Sequence, residues 1–204
     1  MRILFVMLFS LQSLFAHAEV DNDIMTDPNQ VIYSVYTHTA ARITAEKSKL
    51  ATQPEYIQVI IEEELIPYFD YKYAAYKVLG KHLRGSTKAQ RNGFVDAFKR
   101  YLVNAYGHIL SSYDQQKFEI LDNTNFQEKK IISIPVRIRD KNDQVTQIAF
   151  KLRKNKKTGQ WKVFDVIAEG ISMLNTKQSE FNDLLQKKGI DHVIELLKKK
   201  NSEF

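Results

Sequence analysis

The chain has 204 residues, a formal net charge of +6 and no cysteine. The lack of cysteine excludes a disulfide framework, a cysteine nucleophile and a lipid-anchored cysteine. The moderate positive charge favours contact with anionic surfaces such as phosphate headgroups or with acidic partners, although a basic protein with no anionic target fits equally well. Nucleic acid is not an expected partner, because the chain has no concentrated basic stripe.

Residues 1–18 have the pattern of a secretory signal peptide. Arg2 supplies a positive start, an apolar run extends from Ile3 to Phe15, and Ala16-His17-Ala18 fits the small-residue cleavage pattern. The apolar run is shorter than the roughly 20 residues that cross a bilayer. We therefore expect an exported protein, cleaved after Ala18, with a single domain over residues 19–204.

The first half of the chain predicts helices. Apolar residues recur at helical spacing in three segments, Asn29–Ser48, Pro54–Pro67 and Tyr68–Leu83. Thr87 and Gln90 have the spacing of a capping box, which predicts the start of a fourth helix. The apolar stripe of that helix is wide, so it should have apolar neighbours on two sides.

The second half predicts four strands joined by short polar turns, which is typical of an antiparallel meander. Apolar and polar residues alternate in Phe118–Ile120, Ile132–Ile138 and Ile148–Leu152, and a fourth strand begins at Trp161. Pro135 cannot donate to a ladder, so its strand should have a free edge or a bulge there.

The fourth strand leads into a C-terminal helix. Simple alternation places Trp161, Val163 and Ile167 on one face of this strand and Phe164 and Val166 on the other. After Gly170 the spacing becomes helical, through Ile171, Leu174, Phe181 and Leu185. The order predicts an α+β fold: N-terminal helices, a four-stranded antiparallel curved sheet, then C-terminal helices.

No set of residues with catalytic or metal-binding spacing stands out. The histidines are too far apart in sequence for a helical metal pair, and neither a G-x-S-x-G turn nor a phosphate-binding glycine loop is present. Asp165 lies within an apolar strand, where it could be a general base or a hydrogen-bonded structural acid. We therefore expect neither catalytic residues nor a metal site, and no cofactor.

A series of short motifs resembles one known family. In order they are Glu64-Leu65-Ile66-Pro67-Tyr68, Lys72-Tyr73-Ala74, Val78-Leu79-Gly80, Ala89-Gln90-Arg91, Ala105-Tyr106-Gly107, Ile134-Pro135-Val136-Arg137, Thr158-Gly159-Gln160-Trp161 and the run from Asp165 to Met173. Each motif is weak alone, but their order and spacing are specific. The chain resembles the MlaC family, the periplasmic phospholipid-binding proteins of the maintenance-of-lipid-asymmetry system, also called the toluene-tolerance auxiliary family.

This resemblance implies a fold similar to the nuclear-transport-factor-like (cystatin-like) fold with added helices. It also implies a periplasmic monomer, not an enzyme, that carries a glycerophospholipid as cargo, with acyl tails inside and the headgroup at the mouth. The implied protein partners are an outer-membrane lipoprotein–porin complex and an inner-membrane ABC transporter with a ring of lipid-binding subunits.

The expected lipid-binding residues are the inward-facing apolar residues of helices, sheet and junction. They are Val78, Leu79, Phe94, Phe98, Tyr101, Tyr106, Ile134, Val136, Ile148, Phe150, Trp161, Phe164, Ile167, Ile171 and Met173. We expect Ile171 in particular to line the interior where strand changes to helix, so that Ile171→Asp would abolish lipid copurification. Arg91 and Arg137 are candidates for headgroup or partner contacts, with surface salt bridges as the alternative.

Two other functions stay open at this stage. One is an enzyme on the same fold, an isomerase or hydrolase that uses Asp165 with a tyrosine. The other is an interaction module whose apolar interior is simply packed and holds no ligand.

Overall fold

The computed structural model describes residues 24–121 and 125–202. Six helical elements and five strands follow the expected order: α1 (Pro28–Ala45), α2 (Lys47–Thr52), α3 (Ile57–Glu64), α4 (Tyr71–Leu79), α5 (Lys88–Leu110), β1 (Lys117–Ile120), β2 (Ile131–Arg139), β3 (Val145–Lys154), β4 (Trp161–Ala168), β5 (Ile171–Ser172) and α6 (Met173–Asn201). Gly189 (φ 79°, ψ 172°) interrupts α6, so this element consists of two helical segments. The α+β class is confirmed, with helices flanking a curved antiparallel sheet. The expected signal peptide and its cleavage after Ala18 lie outside the described residues.

Local chemistry sets the starts of the helices. The Asp27 carboxylate accepts hydrogen bonds from the Asn29 and Gln30 amides, and Pro28 follows as the first residue of α1. The capping box is confirmed at α5: the backbone N–H of Gln90 donates to Thr87 Oγ1 at 3.1 Å, and the backbone N–H of Thr87 donates to the side-chain Oε1 of Gln90 at 3.0 Å. These contacts satisfy amides that a helix leaves unpaired.

The sheet is an antiparallel meander in the order β1-β2-β3-β4-β5. Val136 of β2 pairs with Ile120, the last residue of β1, and Pro135 is the residue immediately before Val136. The Leu121 amide, just past β1, donates to the Pro135 carbonyl at 3.0 Å, and the ladder between β1 and β2 ends at this proline, which has no N–H to return the bond. On the other side Pro135 remains in register, opposite Ala149 of β3.

The strand count and the helix start differ from the sequence-based prediction. Ile171 and Ser172 form a short fifth strand that pairs with Ala168 and Ile167, and α6 begins only at Met173. Glu169 and Gly170 both have positive φ (48° and 78°), which turns the chain back sharply onto β4. This reversal is why pairing continues where helical spacing had suggested a helix.

The register between β3 and β4 contains a bulge that simple alternation misses. Leu152 pairs with Val163, whereas the residue before it, Lys151, pairs with Asp165. Phe164 is thus an extra residue in β4, and residues beyond it change face.

The bulge corrects the expected face of Ile167. Ile167 pairs with Ala149, whereas Val163 pairs with Leu152, and these two partners lie on opposite faces of β3. Ile167 is therefore not on the same face as Trp161 and Val163. Val166, which pairs with Phe150, does share the face of Val163, so the sequence-based assignment was wrong at both residues.

The apolar interior has two parts, and α5 belongs to both. The larger cluster joins the sheet to α4, α5 and α6, while the smaller cluster joins α1, α3 and α5 through Ile43, Ile60, Ile61 and Val103. Tyr71 and Tyr106 contact both clusters. The wide stripe of α5 therefore has apolar neighbours on two sides, as predicted.

Among the described residues, no helix is long and apolar enough to cross a membrane. The same part of the chain has no group of three or more His, Cys, Asp or Glu side chains able to hold a metal ion.

Candidate functional site: the apolar interior

Helices α4 and α5 form one wall of the larger cluster. Val78, Leu79, Phe94 and Phe98 are all buried, with at most 1% of each exposed. Phe94 and Phe98 are four residues apart, so their rings stack along α5 with centroids 5.9 Å apart. Tyr101 extends this stack at 6.1 Å from Phe98. The result is a continuous aromatic row facing the core.

The sheet forms the opposite wall. Ile134 and Val136 are fully buried on β2, and they pair across the ladder with Phe150 and Ile148 of β3. Direct cross-strand partners lie on one face, so these four side chains form one apolar surface. Ile148 and Phe150 are partly buried against the same cluster.

The start of β4 closes this wall. Trp161 is fully buried and meets Phe126 edge-on at 6.2 Å. Phe164, the extra residue of the bulge, meets Tyr73 of α4 edge-on at 5.2 Å. The bulge therefore directs an aromatic ring toward the helical layer.

The structure brings together twelve of the fifteen expected lipid-binding residues in this cluster, including half-buried Tyr101 and Tyr106. It does not bring in the other three. Ile167 is half-buried outside the cluster, and Ile171 and Met173 are 59% and 41% exposed. The expectation that Ile171 faces the interior was wrong, because the positive-φ turn at Glu169 and Gly170 places it on a short outer strand.

The two arginines make local contacts. Arg91 donates to the Ser86 carbonyl at 2.9 Å, which holds the turn before α5. Arg137 forms an ion pair with Glu119 across β1 and β2 at 2.9 Å. Arg137 therefore forms the surface salt bridge given as the alternative, whereas Arg91 bonds to backbone carbonyls. The headgroup or partner role of both arginines stays a prediction.

Several interior residues were not assigned by sequence reasoning. On the sheet these are Ile132, Leu152 and Val163; on α6 they are Leu174, Phe181, Leu185, Val193 and Leu197. The sheet residues follow the same alternation as the assigned ones, and the α6 residues follow helical spacing, so the signal was present. What the spacing lacked was any indication that α6 returns to pack on α4 and α5.

Asp165 acts as a cap for α6. It is 4% exposed and accepts hydrogen bonds from the Leu174 amide at 3.0 Å and the Ser172 hydroxyl at 2.7 Å. Ser172 Oγ in turn accepts from the Asn175 amide at 3.0 Å. Both carboxylate oxygens are therefore engaged in structural bonds at the helix start.

Tyr106 is the tyrosine whose titration Asp165 affects. Burial, then the negative charge of Asp165, raises the pKa of Tyr106 well above its ordinary value.

Two surface clefts accompany the interior. One, of about 510 Å³, lies between the end of α4 and α6 and is lined by Val78, Leu79, Gly80, Lys81, Gln178, Ser179, Asn182 and Asp183. The other, of about 320 Å³, lies between α3 and α5 and includes Tyr56, Val59 and Arg100. Two residues that line the first cleft, Val78 and Leu79, also belong to the larger apolar cluster.

Two known proteins are similar in sequence to this chain over most of its length. A relative from Haemophilus influenzae, the intermembrane phospholipid transport system binding protein MlaC, is 30% identical over 179 residues, covering 87% of this chain and 84% of its own. The toluene tolerance protein ttg2D of Pseudomonas putida is 26% identical over 165 residues, covering 80% and 75%.

A solved structure shares the fold. The phospholipid-binding protein of Ralstonia solanacearum, determined in complex with a phospholipid, superposes with a TM-score of 0.78 at 17% identity, covering 87% of this chain and 98% of that one. The family model described as MlaC protein matches residues 33–199. The chain therefore belongs to the MlaC family.

Proposed function

We propose that this protein is a periplasmic phospholipid carrier. It encloses acyl chains between the sheet and helices α4 to α6 and moves lipid between an outer-membrane lipoprotein–porin complex and the ring of an inner-membrane ABC transporter, which maintains outer-membrane lipid asymmetry. The observation that carries the proposal is the apolar cluster shared by both layers, together with membership of a family whose relatives are named for phospholipid transport.

The energetics require enclosure of the tails. Two tails of about 15 methylenes each, at about 0.8 kcal/mol per methylene, give a transfer free energy of roughly 24 kcal/mol. A carrier cannot expose that surface to water during transit. It must offer an interior about as apolar as the membrane, so that small differences at donor and acceptor decide loading and release.

Acyl chains require the two layers to separate. Phe94, Phe98, Ile134 and Trp161 are each at most 1% exposed and pack in one cluster, so tails can enter only by displacing these contacts. The helical layer is tied to β4 through the Asp70 amide, which donates to the Val163 carbonyl, and to β3 through an Asp70–Arg153 ion pair of 2.6 Å. We propose that the layers part away from this link.

Native mass spectrometry of protein purified from periplasm without detergent, with organic extraction of any adduct, tests the proposal. A diacyl phospholipid adduct is the expected result, and Val78→Phe should lower its occupancy because the larger ring fills the interior. Val145→Phe is the matched control, since Val145 is 40% exposed on β3.

Other outcomes would contradict the carrier function. A bare polypeptide mass, unchanged after incubation with phospholipid liposomes, would favour an interaction module with a packed core. Chemical turnover of a bound ligand that Asp165→Asn abolishes without loss of binding would favour an enzyme.

A further inference from the structure

Positive charge gathers at one end of the sheet, where β2 begins and the β3–β4 hairpin turns. Ile131, Arg153 and Lys162 are cross-strand neighbours, and the Lys154 amide donates to the Lys130 carbonyl at 2.9 Å. We call this surface the cationic end; its charged members are Lys129, Lys130, Arg153, Lys154, Lys156, Lys157 and Lys162.

These charges are largely uncompensated. Arg153 is paired with Asp70, but none of the six lysines forms an ion pair with any described residue. Glu128 is adjacent, whereas Asp140 and Asp143 lie in the β2–β3 turn at the far end of the same strands. The cationic end therefore presents a net positive field to the solvent.

The chemistry of this surface fits a plane of negative charge. Lysine is a hydrated point charge on a flexible stem, whereas defined carboxylate partners are usually held by the planar fork of arginine. Ile131 lies among these cations with 51% of its surface exposed, although it begins a strand whose next residue, Ile132, is buried. Basic residues around an exposed apolar side chain are typical of proteins that rest on an anionic bilayer surface.

We infer that the cationic end is the face with which this protein contacts anionic phospholipid membranes. The choice of a membrane as the binding partner rests on the proposed carrier function. The position of the charged residues is a feature of the structure and does not depend on that function. The contact brings the sheet end to the headgroup plane and concentrates the protein near its lipid source.

Cosedimentation with vesicles tests this inference. The full chain should bind phosphatidylcholine vesicles that contain phosphatidylglycerol more tightly than vesicles of phosphatidylcholine alone, and added salt should weaken binding. Each lysine contributes about a fivefold factor at such a surface, so the triple variant Lys130→Gln, Lys156→Gln, Lys157→Gln should bind on the order of 100-fold more weakly.

A matched variant controls for net charge. Lys187, Lys188 and Lys199 of α6 are exposed and have no ion pair among the described residues, so changing all three to Gln removes the same charge elsewhere. This control should retain most vesicle binding. Equal losses in the two variants, or binding that ignores phosphatidylglycerol, would overturn the inference.

Two further outcomes separate this surface from its alternatives. If the wild-type protein ignores anionic vesicles but binds a purified acidic protein in a way that only the cationic-end variant loses, the surface is a protein docking site and the membrane inference fails. Lipid retention, measured by mass spectrometry on both variants, should be unchanged. A chain that binds vesicles but never carries lipid would contradict the carrier function and leave the surface standing.

Discussion

Replacing Asp165 by alanine should weaken the junction of β4 and α6. The carboxylate is 4% exposed and accepts from the Leu174 amide and the Ser172 hydroxyl. A hydrogen bond to a charged group contributes about 1.5–3 kcal/mol, and its loss leaves the Leu174 amide unpaired. A negative charge at a helix start adds about 0.3–1 kcal/mol. We therefore expect the free energy of unfolding to fall by about 3 kcal/mol, which lowers Tm by roughly 6–12 °C.

Two milder variants make this prediction sharper. Asp165→Asn keeps one oxygen for the Leu174 amide and should cost about 1–1.5 kcal/mol. Ser172→Ala removes the hydroxyl that accepts from the Asn175 amide, and should cost about 1 kcal/mol. Urea unfolding followed by circular dichroism gives all three values, provided that the slope m is unchanged. A loss below about 0.5 kcal/mol in Asp165→Ala would refute the capping role and return Asp165 to the candidates for chemistry.

Three further predictions concern the ion pairs, a glycine and the outer strand. A hydrogen bond from Arg42 holds the pKa of Glu46 below its ordinary 4.5. The stability that this bond contributes is complete above pH 4.5 and is lost as the pH falls through the lower folded-state pKa. In urea unfolding at acid pH, Arg42→Gln should therefore lose less stability on acidification than the wild type. Gly80 has φ of 51°, and an added Cβ would lie 2.8 Å from Gln178 Nε2, so Gly80→Ala should lower the free energy of unfolding by about 1–3 kcal/mol in urea. Because Ile171 is exposed, we now expect Ile171→Asp to keep both fold and lipid in native mass spectrometry, and lipid loss would show that the binding site reaches β5.

Periodicity predicted the layers of the interior better than it predicted their edges. Phe94, Phe98, Ile134 and Val136 all fall in one cluster, because burial repeats every 3.6 residues in a helix and every two in a strand. At Ile171 the same reasoning failed. Ile171 and Leu174 do have helical spacing. However, the turn just before Ile171, which has two positive φ values, folds the chain back so that Ile171 pairs with β4.

The sequence by itself determined the element types, the antiparallel order, the α5 cap and most of the apolar surface, since each depends on residues close together in the chain. Tertiary structure alone decided the bulge at Phe164, the outer strand, the capping role of Asp165 and the gathering of lysines at one end of the sheet. These features depend on register between segments that are distant in sequence, and a shift of one residue in register moves every later side chain to the opposite face.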